Sequence, residues 1–209
     1  MITGDQRCLA EAPLAVLDVE TTGLSARGGD RVIEIGVVLT SGLEEVDHFE
    51  QLVDPGRPLD PRATAVNGIT AQMVRGQPRF SEILPRLEPL LDGRVLVAHN
   101  ASFDLGFLRE EYRRAGTRLP ERPVLDTCRM ARSHFSFPSN SLGALTRRFG
   151  ISSRGAHRAL ADARMTLALL GALASLLESR GLCTLAQLAG VAPAGSSSRR
   201  RAPHPGLHS

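Results

Sequence analysis

Two acids inside an apolar run limit the folds that are open to this chain. The segment LAVLDVETTG places Asp18 and Glu20 among aliphatic residues, and a Thr-Thr-Gly turn follows at once. Short aliphatic runs bounded by turn residues are typical of β-strands. Burying an ionised carboxylate costs free energy unless a cation or a hydrogen-bonding partner compensates the charge. The fold must therefore bring a compensating group to the end of this strand.

The spacing of the two acids suits a shared ligand. Asp18 and Glu20 are two positions apart, so in a strand their side chains point to the same face, roughly 6.6 Å apart along it. They also lie at the carboxyl end of the strand, where open α/β sheets form their ligand crevices. A solvent-facing strand end would also explain the pair. The apolar run before it and the small-residue turn after it favour a site.

Hydrophobic periodicity predicts an α/β fold. Turn-separated aliphatic runs indicate strands at residues 14–19, 32–39, 46–53, 95–99 and 124–125. The Gly-containing turns between the first three strands would be hairpin connections, which predict antiparallel pairing. Apolar spacing and capping residues indicate helices at residues 80–91, 103–112, 141–149, 159–179 and 184–189. The prolines after the third strand indicate a loop at Pro55, Pro58 and Pro61.

Length and composition predict one domain with tails. A chain of 209 residues that is 42% hydrophobic can bury one sizeable core. We expect an N-terminal extension at residues 1–12, a domain at 13–180, and a short helix followed by a disordered basic tail at 181–209. No basic leader precedes an apolar run, and the longest apolar stretch, Met165–Leu177, is too short to span a bilayer. We therefore expect a soluble, cytoplasmic protein.

The three cysteines are expected to be ordinary reduced residues. Cys8, Cys128 and Cys183 are far apart in the sequence. Disulfide frameworks and zinc sites show closer pairing than this.

The charge is distributed unevenly along the chain. All 25 basic residues are arginine, and the first 60 residues contain 12 of the 22 acids but only 4 of the arginines. Such asymmetry suits a nucleic-acid partner, with acids where metals bind and arginine where phosphates lie. An arginine-rich part of a chain is by itself usually a solvated surface, so the prediction of a nucleic-acid partner depends on sequence motifs.

Two further acids could join the first pair. Asp104 opens a helix after the strand that ends in His99-Asn100, and Asp162 begins the long apolar helix, five residues after His157. Each acid alone could simply offset a helix dipole, and His157 could be a loop residue. Together, four carboxylates and one histidine at one sheet edge would bind a hard divalent cation such as Mg²⁺ or Mn²⁺. Zinc fits less well, because this set of candidate ligands contains only one histidine and no suitable cysteine.

Three motifs carry a family resemblance. VLDVETTG, HNASFD and HRALAD resemble the exonuclease motifs of the DEDDh 3′-to-5′ exonucleases, a branch of the ribonuclease H-like superfold. The resemblance runs from about Leu14 to Leu177, and it is greatest to the epsilon proofreading subunits of bacterial DNA polymerase III and their free-standing relatives. It implies a five-stranded mixed sheet, with three antiparallel strands and then two parallel ones, and helices on both faces.

The resemblance also implies roles for the polar residues. Asp18, Glu20, Asp104 and Asp162 would bind two divalent cations, Mg²⁺ or Mn²⁺, with Asp18 bridging both. His157 would be the general base, a role that histidine often takes near neutral pH. The expected products are nucleoside 5′-monophosphates released from 3′ ends.

Substrate contacts are implied in two places. The turn after the first strand would approach the terminal sugar and base, with Leu24 as a wedge. The residues of this turn are Thr21, Thr22, Gly23 and Leu24. A nucleotide pocket would be lined by Asn67, Asn100 and Phe103. Phe103 could instead be core packing, and Asn67 stands where the family often has histidine.

Several polar residues are interpreted as structural. Glu34 in VIEIG lies outside the motif set, so we interpret it as a buried acid bonded to backbone or arginine. Asp126 is interpreted as a helix cap. Structural roles are also expected for His48, His99 and His134.

Three functions remain open from the sequence. The favoured one is an exonuclease that proofreads DNA 3′ ends for a replicative polymerase, to which residues 181–209 could tether it. A free-standing exonuclease acting on RNA, on oligoribonucleotides or on DNA in repair would use the same acids. A module that only docks a polymerase would not need them.

Overall fold

The fold is a five-stranded sheet with helices on both faces, seen in a computed structural model that describes Ile2 and residues 5–190. The strands are β1 (Pro13–Thr21), β2 (Val32–Ser41), β3 (Glu44–Leu52), β4 (Val95–Ala98) and β5 (Val124–Asp126). The longer helices are α3 (Phe80–Leu91), α4 (Ala101–Arg114), α5 (Thr127–His134) and α7 (Ala159–Glu178). The shorter ones are α1 (Pro61–Asn67), α2 (Ala71–Val74), α6 (Leu142–Arg148) and α8 (Leu185–Leu188).

The sheet is mixed and β1 lies at its centre. The strand order is β3-β2-β1-β4-β5, in which β2 is antiparallel to β1 and β3, while β4 is parallel to β1 and β5. Direct connections, residues 22–31 and 42–43, join the antiparallel pairs, whereas each parallel pair needs a longer crossover, which the helices supply. This confirms the predicted sheet of three antiparallel and two parallel strands.

Alternate residues of β1 face two separate cores. Leu14 and Val16 pack in one apolar cluster with the leucines of α7. Ala15 and Leu17 pack in another with residues of α3 and α4. Because side chains alternate along a strand, Asp18 continues the row that faces α7. The acids of β1 therefore lie on the side of the sheet that α7 covers.

Helix α7 corrects one expectation from the sequence. Its 20 residues are long and apolar enough, by length and composition, to cross a membrane. The expectation that the chain has no segment of such length is therefore wrong. Residues such as Ala163, Leu170 and Leu173 are buried in the cluster that includes β1. The core helix of a folded domain passes the same test of length and hydropathy.

Apolar periodicity does not predict three of the helices, α1, α2 and α5. The predicted loop at Pro55–Pro61 ends where α1 begins, with Pro61 at its first position and Asp60 accepting a hydrogen bond from the Arg62 N–H. Helix α2 follows after one glycine turn. Helix α5 begins after Asp126, which accepts hydrogen bonds from two backbone N–H groups of that helix. This confirms Asp126 as a helix cap.

The two ends of the described chain meet. The Leu185 N–H donates to the Arg7 carbonyl at 3.0 Å, and the Cys8 and Cys183 Sγ atoms lie 3.6 Å apart without a disulfide. Because the two cysteines are far apart in the sequence, their proximity could not be recognised from it. The division into segments 1–12, 13–180 and 181–209 stays a prediction, and the predicted tail beyond residue 190 lies outside the described residues.

Candidate active site

Three carboxylates from two elements converge beside the sheet. In the β1–β2 ladder, Asp18 lies opposite Gly36 and Glu20 lies opposite Glu34. Asp162 comes from the first turn of α7. One carboxylate oxygen from each of Asp18, Glu20 and Asp162 lies within 4.8 Å of the other two. Oxygen donors at this separation can share a hard cation.

Asp104 lies beside this group. It is in the first turn of α4, is 3% exposed, and its Oδ1 accepts a hydrogen bond from the Val19 N–H at 3.2 Å. Its charge acts directly on Asp18. Among the described residues, the group of carboxylates within 4.8 Å of one another comprises Asp18, Glu20 and Asp162. Asp104 lies outside that group, its negative charge raises the pKa of Asp18, and its role as a metal ligand stays a prediction.

Burial shifts all four acids toward the protonated form. Desolvation is the largest cause in each, and the neighbouring carboxylates add to it for Asp18, whose pKa is well above its usual range. The pKa of Glu20 is raised to about 7 and that of Asp104 to about 8, and the pKa of Asp162 is also raised. The side chain of Asn67 partly offsets the shift of Glu20 through a hydrogen bond. A cluster of this kind lacks positive charge, which a divalent cation would supply.

His157 lies next to the cluster through its backbone. Its N–H donates to Oδ1 of Asp162 at 3.2 Å, and its side chain is exposed. Its φ of 67° lies in the left-handed region, which non-glycine residues adopt at a cost and mainly at functional sites. The structure thus brings His157 to Asp162, while its role as a base stays a prediction.

The turn after β1 is fixed by Asp30. The Thr22 hydroxyl donates to Oδ1 of Asp30 at 3.1 Å, and the Thr21 hydroxyl donates to the Gly23 carbonyl at 2.6 Å. A Cβ atom at Gly23 would lie within 2.5 to 2.8 Å of the Asp30 carboxylate, so a larger residue would displace the side chain that fixes the turn. Both threonines are buried, whereas Leu24 is 86% exposed. The turn therefore projects one apolar side chain from a rigid base.

The predicted nucleotide-pocket residues are in three settings. Asn67 is buried at the end of α1, beside Glu20. Asn100 has a φ of 69° and its N–H donates to Oδ1 of Asp126 at 3.0 Å. Phe103 packs against Phe107 with ring centroids 4.9 Å apart.

Phe103 both packs and lines open space. It is only partly buried against the core, and it shares a cavity of about 340 Å³ with Leu24 and Arg27. The two alternatives for Phe103, core packing and pocket lining, are therefore not exclusive. A cavity of about 740 Å³ elsewhere on α4 is lined by residues such as Arg113 and Arg118 and contains none of the four acids.

The residues interpreted as structural have structural partners. Glu34 is fully buried and bonds to the Arg158 guanidinium and to the Ala159 N–H, which confirms its interpretation. His99 lies between the Thr127 hydroxyl and a carbonyl, and His134 contacts a carbonyl near α8. Sequence reasoning did not single out Arg158, although it stands directly after His157 in the third motif.

Comparison with known proteins finds a family model that matches most of this chain. A family model described as Exonuclease matches residues 15–170. A DNA polymerase III subunit epsilon-like protein of Rhodobacter capsulatus is 40% identical over 191 residues, which are 87% of this chain and 27% of that protein. A PolC-type DNA polymerase III of Streptococcus suis is 38% identical over 182 residues, which are 86% of this chain and 12% of that protein.

A solved structure agrees in fold and sequence. Exonuclease X in complex with 5′ overhanging duplex DNA matches with a TM-score of 0.66 and 30% identity, covering 85% of this chain and 98% of that chain. An Escherichia coli exonuclease I complex with single-stranded DNA matches with a TM-score of 0.70 at 20% identity, which concerns the fold alone. The chain spans about a third or less of the length of the curated relatives it matches first.

Proposed function

This chain belongs to the exonuclease family, and on that premise we propose that it hydrolyses DNA from the 3′ end and releases nucleoside 5′-monophosphates. The sequence resemblance to exonucleases is thereby confirmed. The observation that carries the proposal is the convergence of Asp18, Glu20 and Asp162 within 4.8 Å of one another. Acids from a central strand and from a distant helix meet there at an energetic cost that a purely structural role would not explain.

The residues fit a divalent cation. Asp18, Glu20 and Asp162 would hold it, and Asp104 would add negative charge from α4. When bound, a hard cation such as Mg²⁺ or Mn²⁺ polarises a phosphate oxygen and lowers the pKa of an attacking water. All of the ligands offered are oxygen atoms, and the buried acids need positive charge to ionise at neutral pH.

The remaining chemistry would fall to the chain's own side chains. His157, held beside Asp162 by its backbone, would take a proton from the attacking water. Leu24 would separate the terminal base from its partner, since it is exposed on a turn that Asp30 fixes. Phe103 would support the last nucleotide from the neighbouring cavity wall. Asn67 would instead act on Glu20, the carboxylate it adjoins.

The proposed biological role is proofreading for a replicative polymerase in the cytoplasm. It is supported by the two polymerase III relatives, which match this chain over most of its length. A second candidate is a free-standing exonuclease on DNA ends, because a solved structure similar to this chain is exonuclease X bound to duplex DNA. Tethering to a polymerase through residues 181–209 remains part of the first proposal alone.

One digestion experiment separates these roles. Single-stranded DNA, matched primer–template, mismatched primer–template and short RNA are incubated side by side with Mg²⁺ or Mn²⁺, and released mononucleotides are measured. We expect metal-dependent release from DNA, fastest from the mismatched primer. Equal rates on matched and mismatched ends would favour the free-standing enzyme. Faster release from RNA would overturn the choice of DNA, and no release from any substrate would leave only a docking module.

A further inference from the structure

The start of α7 is held from the sheet by an acid outside the carboxylate cluster. Glu34 on β2 is fully buried, and its two oxygens accept hydrogen bonds from Nε of Arg158 at 3.0 and 3.1 Å. The same carboxylate accepts from the Ala159 N–H at 2.9 Å. Ala159 is the first residue of α7, and the preceding Arg158 makes no capping hydrogen bond with its own side chain. Glu34, on strand β2, therefore caps the N-terminus of α7.

The same strand also sets how closely α7 approaches. Gly36 lies two positions after Glu34 and so faces the same side of the sheet. A Cβ atom at Gly36 would lie 2.2 Å from the Leu160 nitrogen, so only glycine permits this contact. In the ladder, Gly36 is opposite Asp18 and Glu34 is opposite Glu20. The first turn of α7 is thus seated on β2 immediately beside the two acids of β1.

This seating determines where Asp162 and His157 lie. Asp162 is in the seated turn, whereas the acids it must meet come from β1. His157 directly precedes Arg158 and has a left-handed backbone, a conformation that costs on the order of 1–3 kcal/mol and needs support from its surroundings. Its two supports are the hydrogen bond to Asp162 on one side and the Arg158–Glu34 pair on the other.

The charges around Glu34 favour its ion pair with Arg158. Arg158 is the cation that faces it, and the Arg158 guanidinium also lies 3.7 Å from Glu50 on β3. Glu20 is the like charge directly across the ladder. Without Arg158, two carboxylates on adjacent strands would repel each other. The guanidinium thus lets Glu34 stay beside the cluster as a bonded anion.

We propose that Glu34 is a positioning residue for the reaction, and this rests on the proposed function. With Arg158 it fixes the first turn of α7, so that Asp162 meets Asp18 and Glu20, and so that His157 is held next to Asp162. A shift of about 1 Å in such a constellation can lower a rate about a hundredfold. A merely structural Glu34 would instead affect only the stability of the fold.

The test compares two substitutions at this position in the full chain. Glu34→Ala removes both the charge and the cap, whereas Glu34→Gln keeps an acceptor for the Ala159 N–H. We expect Glu34→Ala to lower kcat on single-stranded DNA about a hundredfold with little change in KM, and Glu34→Gln to restore part of it. Titration calorimetry with Mn²⁺ alone should give an affinity about 10- to 100-fold weaker for Glu34→Ala.

A matched control lies on the same helix. Arg164 of α7 bonds Glu45 through Nε to both carboxylate oxygens, at 3.2 and 3.1 Å, beyond the first turn. Glu45→Gln removes a second, more exposed ion pair between α7 and the sheet without touching the seated turn. We expect it to leave kcat and Mn²⁺ affinity unchanged. Hydrogen exchange of residues 157–162 should quicken in the Glu34 variants and not in this one.

Failure of the Glu34 proposal can be distinguished from failure of the proposed function. The Mn²⁺ and hydrogen-exchange measurements need no nucleic acid, so they test Glu34 even if the wild-type chain releases no nucleotide. Folding is checked by thermal unfolding, and if Glu34→Ala does not fold, Glu34→Gln decides. Wild-type kcat and Mn²⁺ affinity in folded Glu34→Ala, or in Glu34→Gln where the alanine variant does not fold, would overturn the proposal. Equal losses in Glu45→Gln would overturn it as well.

Discussion

At the scale of single residues, Asp18 and Asp162 are the acids whose loss should be most damaging. Asp18→Asn and Asp162→Asn keep the shape of each side chain but remove a charge that a cation requires. We expect each to reduce nucleotide release by more than the 10- to 100-fold that loss of an outer-shell partner typically costs. The fold should remain, because the change relieves repulsion between buried acids. Undiminished release by either folded variant, checked by circular dichroism, would contradict the assignment.

His157 should affect chemistry more than metal binding. It contacts the cluster through its backbone N–H, which His157→Ala preserves. We expect this variant to lower kcat by about 10²- to 10⁴-fold, the usual contribution of a general base. Its Mn²⁺ affinity should stay close to that of the wild-type chain. A parallel loss of Mn²⁺ affinity would show that the residue supports the cluster and does not act as a base.

The raised pKa values predict how stability depends on pH. The pKa values of Glu20 and Asp104 in the folded chain are about 7 and about 8, above their ordinary values of 4.5 and 3.8. Such groups bind protons more tightly in the folded state, so the stability they give is present below the ordinary pKa and is lost as the pH rises through the folded pKa. Without metal, we expect the melting temperature to fall between pH 5 and about pH 8.

Divalent cations should reverse this loss. Metal ligands must be deprotonated, so Mg²⁺ or Mn²⁺ should raise the melting temperature at pH 8 more than at pH 5. Thermal unfolding in EDTA and in Mn²⁺ across this interval provides the measurement. Asp18→Asn and Glu20→Gln, introduced together, should reduce the change of melting temperature with pH both in EDTA and in Mn²⁺. A melting temperature that rises from pH 5 to pH 8 in EDTA would refute the prediction.

At the scale of elements, the ion pair that joins α4 to Arg31, the residue directly before β2, should contribute strongly to stability. Glu111 on α4 is 1% exposed and accepts hydrogen bonds from Arg31 at 2.7 and 2.8 Å and from the Val32 N–H at 3.2 Å. Removing one partner of a buried pair costs about 3–5 kcal/mol, because the other charge is left uncompensated. The side chain of Arg31 is 23% exposed, so solvent compensates part of its charge and the cost should lie near the lower end of that range. We expect Glu111→Ala to lower the melting temperature by more than about 6 °C.

A neighbouring pair provides the control for this prediction. Glu110 pairs with Arg113, whose side chain is 68% exposed, so solvent screens that interaction. We expect Glu110→Ala to cost less than about 1 kcal/mol. Similar melting temperatures for the Glu110 and Glu111 variants in thermal unfolding would contradict a special role for the buried pair.

Elements differed in how far sequence could predict them. Strands β1 and β2 and helix α7 have long aliphatic patterns, and the apolar spacing of α3 is recognisable despite Pro85 and Pro89. Helices α1 and α2 are seven and four residues long, too short to show a period. Proline at the start of α1 was interpreted as a loop, although proline is favoured at a first helical position.

At the scale of the whole molecule, the contact between the two ends can be tested through thiol chemistry. The Cys8 and Cys183 Sγ atoms are 3.6 Å apart. With oxidised glutathione, one thiolate attacks the reagent to give a mixed disulfide, and the second displaces glutathione from it. The two thiols lose two electrons, the reagent gains them, and two glutathione thiols are released. We expect an internal Cys8–Cys183 disulfide, detected by mass spectrometry of peptides.

The cross-link should also stabilise the fold. It would close a loop over nearly the whole described chain, and such closure typically adds about 2–4 kcal/mol. We therefore expect the melting temperature to rise by about 5 to 15 °C. Cys128→Ser should keep this effect, whereas Cys8→Ser should abolish it. A disulfide that used Cys128 instead would contradict the packing of the two ends.

The candidate cation ligands, the histidine and most of the strands and longer helices could be predicted from the sequence. The acids, the histidine and the strand and helix periods are local properties, so they can be recognised without knowing what lies nearby in space. The tertiary structure alone decided that Asn67 lies beside Glu20, that Glu34 caps α7 through Ala159, and that Gly36 admits this helix. These arrangements depend on strand register and on helix packing between distant segments. Their free energies come from burial and neighbouring charge, which exist only once the chain has folded.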